Sequence, residues 1–237
     1  MTASRILGAL TLALALCAAA APLRADTLAV DGPVLAAPDP YTLIGARNFL
    51  TGYPAQLPNG NVHVVVEIPA GSTAKWEVDK ADGALRWEFK QGKPRIVEYL
   101  GYPGNYGMVP RTLLPEALGG DGDPLDVIVL GPSAERGAVV EARIVGVLRL
   151  LDDGEQDDKL LAVMSGTALA GVADLDELER RFAGTTRIVE TWFANYKGPG
   201  RMQSKGFGNA AEAQQVLSAA IKAFEESGAA PLAAAGN

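Results

Sequence analysis

The chain has 237 residues, 48% of them apolar, and its 28 acidic against 21 basic side chains leave a formal net charge of −7 at pH 7. That length suits one large domain with extensions, and the acidic balance argues against the basic footprint of a non-specific nucleic-acid binder. Cys17 is the only cysteine and His63 the only histidine, which takes disulfide frameworks, thiolate metal centres and histidine-built zinc sites out of consideration.

The N-terminus carries Arg5, an apolar stretch from Ile6 to Leu16 and small residues to Ala21, the three-part pattern of a secretory signal peptide. The apolar stretch is too short to span a bilayer. Residues 1–25 are therefore expected to be removed, by cleavage within Ala18–Ala21 or after Ala25. A periplasmic or secreted mature chain without a membrane span follows. Leu16 is bulky where a lipoprotein signal wants a small residue, which argues against lipidation at Cys17. Losing Arg5 and Arg24 leaves 19 basic against 28 acidic side chains, a net charge of −9, and no cysteine.

Residues 26–60 are rich in Pro, Gly and Ala and read as an extended arm. The expected folded domain covers 61–227. Its first part is strand-like: Val62–Ile68, Trp76–Lys80, Leu85–Phe89, Val127–Leu130, Val139–Leu151 and Leu160–Met164 are the candidates, with Asp82-Gly83 as a hairpin turn. Two helices follow. The first runs from an Asp174 cap to about Asn195, with Leu175, Leu178, Phe182, Ile188 and Phe193 among its apolar residues. The second starts after Asn209 and carries Val216, Ile221 and Phe224. The tail, 228–237, is Ala- and Gly-rich and expected to fray. This order predicts a mainly β protein with two C-terminal α-helices, built as a closed or partly closed barrel with helices packed outside.

The chemistry concentrates in Asp121-Gly122-Asp123-Pro124-Leu125-Asp126. Three carboxylates in six residues repel one another, and a divalent cation with a taste for hard oxygen ligands removes that repulsion. An EF-hand does not fit, because Asp126 stands where that loop requires Gly and Pro132 where it requires Glu. A second acidic cluster, Asp152-Asp153-Gly154-Glu155-Gln156-Asp157-Asp158, lies between two strand candidates. Alone it reads as a solvated hairpin tip. Beside the first cluster it offers ligands for a site of several metals, which can clamp a phosphoryl oxygen.

Cations and phenols appear where a phosphate site wants them. Alternation puts Lys75, Glu77 and Asp79 on one strand face and Trp76 and Val78 on the other. Lys93-Pro94-Arg95 offers a guanidinium, the side chain best shaped for bidentate phosphate contact. Tyr102 and Tyr106 lie on a turn-rich loop, and Tyr196-Lys197 closes the first predicted helix.

In this order the chain resembles the soluble family I inorganic pyrophosphatases. The motifs are Val66-Glu67-Ile68-Pro69, Lys75-Trp76-Glu77-Val78-Asp79-Lys80, Gly83-Ala84-Leu85 and Tyr102-Pro103-Gly104-Asn105-Tyr106-Gly107. They continue with the Asp121–Asp126 hexapeptide, Val145-Gly146-Val147-Leu148, Asp152-Asp153, Asp157-Asp158-Lys159 and Tyr196-Lys197. The resemblance implies an OB-like closed barrel and metal-dependent hydrolysis of inorganic pyrophosphate to two phosphates, with several Mg²⁺ ions, or Mn²⁺ or another divalent cation, per site. It also implies metal ligands at Asp121, Asp126, Asp152 and Asp157, with Glu67, Glu77, Asp153 and Tyr102 in support directly or through water. Asp123 is the implied general base toward a metal-bridging water. Lys75, Arg95, Tyr106, Lys159, Tyr196 and Lys197 are the implied substrate contacts, with Arg86 a rival to Arg95. Homo-oligomers are implied as well. Two alternatives stand beside this reading: an exported polyphosphate or nucleotide phosphohydrolase, and a non-catalytic metal- or phosphate-binding barrel. A pure binder has no use for a base at Asp123.

Overall fold

A computed structural model describes residues 36–114 and 122–228. The expected signal peptide, the first part of the arm, Asp121 and all of the tail except Gly228 lie outside the described residues.

The strands are β1 (Ala36–Asp39), β2 (Thr42–Ile44), β3 (Val62–Ile68), β4 (Trp76–Val78), β5 (Leu85–Trp87), β6 (Phe89–Lys90), β7 (Lys93–Pro94), β8 (Asn105–Met108) and β9 (Asp126–Leu130). They continue with β10 (Val139–Asp152), β11 (Glu155–Gln156), β12 (Lys159–Met164) and β13 (Met202–Gly208). The helices are α1 (Leu175–Arg181), α2 (Thr185–Asn195) and α3 (Ala210–Glu226).

Five strands close a ring, in the order β3-β8-β9-β12-β10 and back to β3. All pairs in it are antiparallel except β9–β12, which is parallel. This is the expected mainly β, OB-like closed architecture, with the helices packed against the strands. β10 makes closure possible through its length. Val139–Ala142 pair with β3, the middle of the strand pairs with β12, and Val147–Asp152 pair with β13.

The register shifts between Ile144 and Gly146, and one extra residue reverses which face each side chain meets. Ala142, Ile144 and Val147 accordingly join one core cluster, while Val145, Leu148 and Leu150 join another. Gly146 is required there: a Cβ would lie 2.8 Å from the Leu175 side chain and 2.9 Å from the Gly208 carbonyl oxygen.

Each face of the ring is buried by its own helices. α3 begins at a capping box in which Asn209 and Glu212 accept each other's backbone N–H, at 3.0 and 2.8 Å. It presents Ala213, Leu217, Ala220 and Phe224, and the first three join Val62, Val64, Val127 and Ala162 in one cluster. α1 and α2 cover Ile128, Leu148 and Leu161 with Leu178, Val189, Trp192 and Phe193.

The helix predicted over 174–195 is two helices. Gly184 adopts a left-handed φ of 86°, and the Glu179 carboxylate accepts the N–H groups of Gly184 and Thr186 at 2.7 and 2.8 Å, capping the second helix through a side chain of the first. The break rotates Ile188 outward, where it is 63% exposed rather than in the core.

Two segments expected to be irregular form strands, and a third is buried. Residues 36–44 form β1 and β2 of a smaller sheet, ordered β1-β2-β5-β4. Phe49 and Tyr53 of the predicted arm are wholly buried against Trp76, Val78, Leu85 and Met108. The Tyr102–Gly107 loop contributes β8. There Gly107 lets two backbones touch, since a Cβ on it would lie 1.8 Å from the Val65 carbonyl oxygen.

Candidate active site

Parallel pairing of β9 with β12 places Leu160 beside Val127, so the residues just before them, Lys159 and Asp126, meet at the same end of the ring. The Lys159 ammonium ion-pairs with Asp126 and lies 2.5 Å from Asp157. Lys159 is buried. Burial disfavours its charge, but Asp126 and Asp157 outweigh that and hold the ammonium well above its usual range. Asp157 is raised by its own burial, with Lys159 pulling the other way.

The β10–β12 hairpin brings Asp152 to the same place. One of its oxygens pairs with Lys197, and the other is buried without a hydrogen-bond partner. Asp123 pairs with Lys80. Together Asp123, Asp126, Asp152, Asp157, Asp158 and Lys159 line an open cleft of about 540 Å³. Asp158 belongs to the second acidic cluster but has no individual role in the expected site. It accepts the Leu150 N–H at 3.0 Å and fixes the hairpin's shape.

The upstream motifs border this cleft. Glu67, at the end of β3, is buried and accepts the Val78 N–H at 2.8 Å. Desolvation pushes its carboxyl up to about 8, with Lys75 opposing and Asp126 adding to the rise. Lys75 pairs with Glu77. Tyr102, Phe193 and Tyr196 surround Trp192 in an aromatic wall, with Trp192 stacked on Tyr196 at 4.8 Å, and Tyr106 extends it by packing on Tyr102 and Phe193. Burial raises Tyr102 to about 12 and lifts Tyr106 and Tyr196 as well, with acids of the cleft adding to both.

The two candidate arginines separate. Arg86 faces Asp79 and Asp82 at 2.6 Å each, on the exposed β4–β5 hairpin. Arg95 pairs with Glu88 at 2.7 Å, within electrostatic reach of Tyr196 and Tyr102. Its backbone carbonyl accepts the N–H of Lys75 at 3.0 Å and the indole N–H of Trp87 at 2.9 Å. Asp153 departs from the group. It is exposed, at a left-handed φ of 48°, and bonded to Arg201 at 2.7 and 3.0 Å. Asn105, quoted in a motif but given no role, is fully buried. It accepts the N–H groups of Ala70 and Ala134 at 3.1 and 2.8 Å and donates to the Pro132 carbonyl at 2.8 Å.

The donor set fits a hard divalent cation. Among the described residues no three acids converge on a single point, because lysine ammoniums lie against Asp123, Asp126, Asp152 and Asp157, and Asp121 is outside the described residues. The unpartnered Asp152 oxygen and the two carboxylates sharing one ammonium are oxygen ligands of the kind that Mg²⁺ takes.

Residues 64–225 match the family described as inorganic pyrophosphatase. The chain belongs to the inorganic pyrophosphatase family. It is 35% identical over 170 residues to an inorganic pyrophosphatase of Xylella fastidiosa, covering 70% of this chain and 90% of that one. It is 36% identical over 161 residues to the chloroplastic soluble inorganic pyrophosphatase 1 of Chlamydomonas reinhardtii, covering 63% of this chain and 57% of that longer relative. The solved inorganic pyrophosphatase of Helicobacter pylori superposes with a TM-score of 0.61 at 35% identity, over 74% of this chain and 97% of that one. Members of this family are mainly β hydrolases that use divalent metal ions, and the acidic cleft lies within the matched span.

Proposed function

We propose that the acid-lined cleft hydrolyses inorganic pyrophosphate to two phosphates, with Asp123 as general base. The observation that carries the reading is the meeting of Asp123, Asp126, Asp152, Asp157 and Lys159 in one cleft. Divalent cations, Mg²⁺ foremost, would be held by Asp121, Asp126, Asp152 and Asp157, where they supply charge neutralisation and a water acidic enough to ionise near neutral pH.

Asp123 accepts a proton from the attacking water, a role that needs only hydrogen-bond reach and a suitable pKa. Attack is in line on one phosphorus, and the bond from that phosphorus to the bridging oxygen breaks. The leaving phosphate departs with its charge held by Lys75, Arg95, Lys197 and the phenols of Tyr106 and Tyr196, with Lys159 behind them. Glu67, Glu77 and Tyr102 orient this shell. Asp153 stands at its margin, engaged with Arg201.

The reading extends to the whole chain. Residues 1–25 act as an export signal, so the mature enzyme works in the periplasm or outside the cell, and it assembles as a homo-oligomer. Among the described residues no helix is long and apolar enough to cross a membrane.

The test is phosphate release from pyrophosphate by the chain from Asp26 onward, with Mg²⁺ and with chelator, beside Asp123→Asn. Metal-dependent release is expected, and the substitution should lower kcat by about 100-fold or more, the scale of a lost general base, with the fold intact by circular dichroism. No release from folded, Mg²⁺-loaded protein would sink the hydrolase reading. Full activity in Asp123→Asn would remove that residue as the base.

A further inference from the structure

We propose that Arg136 is a positioning residue for the pyrophosphate site, an inference that rests on the function just given. Its guanidinium is half-buried, and among the described residues it has no carboxylate partner. Such burial disfavours its charge and lowers its affinity for the proton. Other contacts must offset that cost. The guanidinium carbon sits 4.6 Å from the centroid of the Trp76 ring, within cation–π range. Nε donates to the backbone carbonyl of Glu67 at 3.0 Å, and a terminal nitrogen approaches the Ser72 hydroxyl at 3.4 Å.

Those contacts lie behind the site. Trp76 is the buried residue between Lys75 and Glu77, and β-strand alternation turns it away from the face those two share. Trp76 stacks on Trp87 with centroids 5.5 Å apart. The Trp87 indole N–H in turn donates to the carbonyl of Arg95 at 2.9 Å. Arg136, Trp76 and Trp87 therefore form one column. It touches the backbone of Glu67, the strand of Lys75 and Glu77, and the backbone of Arg95.

The loop holding Arg136 is itself tied to β3, since Gly137 donates to the Val66 carbonyl at 2.7 Å and Val66 donates to the Ala138 carbonyl at 2.9 Å. Removing the guanidinium leaves the ladder in place but loosens Glu67 against the Lys75–Glu77 strand. The motif signal pointed to Trp76 only as the residue between two site groups. Arg136, some 60 residues on, carries no motif.

The experiment compares wild type, Arg136→Met and Arg136→Lys for pyrophosphate kinetics, half-saturating Mg²⁺, thermal melting and near-ultraviolet circular dichroism of the stacked indoles. Arg136→Met keeps the apolar stem and should lower kcat/KM by about tenfold, the effect of a sub-ångström misplacement. It should also raise the half-saturating Mg²⁺ and reduce the indole signal, while the protein stays folded at the assay temperature. Arg136→Lys restores a cation over Trp76 and should recover most of the loss. Wild-type kcat/KM in Arg136→Met would overturn the proposal. So would equal losses in both variants accounted for by the unfolded fraction, which mark a merely structural role. If wild type itself releases no phosphate, the functional reading fails instead, and the two failures are distinguished within the same assay.

Discussion

At the scale of single residues, the cleft is built on charge pairs that water would weaken. The buried Lys159 holds Asp126 and Asp157 together, so the residue legible as a substrate contact is also the counter-charge of two expected metal ligands. The arginine question turns on surroundings. Arg95→Ala should lower kcat/KM for pyrophosphate by about 10- to 100-fold, as expected for a lost phosphate contact, whereas Arg86→Ala should stay within about twofold because its partners lie on a hairpin away from the phenols. Steady-state kinetics on the pair decides, and the reverse ranking would exchange the two roles. Arg86 instead contributes to acid sensitivity. Its hydrogen bonds pull Asp82 down from 3.8 to about 2. A depressed carboxyl stabilises the fold fully above its unfolded pKa, and that contribution is lost progressively between about pH 5 and pH 1, as pH falls through the folded value. Asp82→Asn should therefore lower the urea midpoint at pH 7 by more than it does at pH 2. An equal difference at both pH values would assign the effect to something other than this titration.

At the scale of elements, sequence periodicity was a good guide wherever local preference and tertiary demand agreed. Val62–Ile68 is a strand at the predicted bounds because its β-branched run suits burial on both faces. The prediction failed where they disagreed. Asn105-Tyr106-Gly107 has turn chemistry, yet pairing with both β3 and β9 makes it a strand. The Gly that weakens strand propensity is there because Val65 lies too close for any side chain. Gly107→Ala should accordingly cost about 3 kcal/mol or more in urea unfolding, at the upper end of overpacking penalties, and should also slow turnover, because β3 carries Glu67 and β8 carries Tyr106. A neutral substitution would mean that the two strands separate more easily than this contact implies. The broken helix at Gly184 has a similar cause. Its cap comes from Glu179 in the preceding helix, a contact that no 3.6-residue pattern records.

At the scale of the whole molecule, the predicted arm is more than a linker. Its proline- and glycine-rich composition hid Phe49 and Tyr53, two isolated aromatics without periodicity that complete a core cluster. Arg111 clamps the segment by donating to the carbonyls of Leu50 and Thr51, at 2.8 and 2.7 Å. A chain starting at Asn61 should melt more than about 10 °C below one starting at Asp26, since two buried aromatics contribute several kcal/mol and each kcal/mol shifts Tm by about 2–4 °C at this size. Calorimetry of the two chains checks this, and equal melting temperatures would restore the arm to a dispensable extension.

The long strand β10 belongs to four ladders at once and ends in Asp152. Its hairpin with β12 carries Asp157 and Lys159, while its partners β3 and β13 bring Glu67 and the end of the helical segment. Its tip is held on both edges, since Leu151 and Asp152 pair with β11 on one side and β13 on the other, outside the closed ring. Amide exchange at Leu150–Asp152 is therefore expected to be slower than in an exposed loop, and this corner of the acidic cleft to share the cooperativity of the sheet. The proposed site thus draws its geometry from sheet pairing rather than from a loop, and heating is expected to abolish structure and activity together.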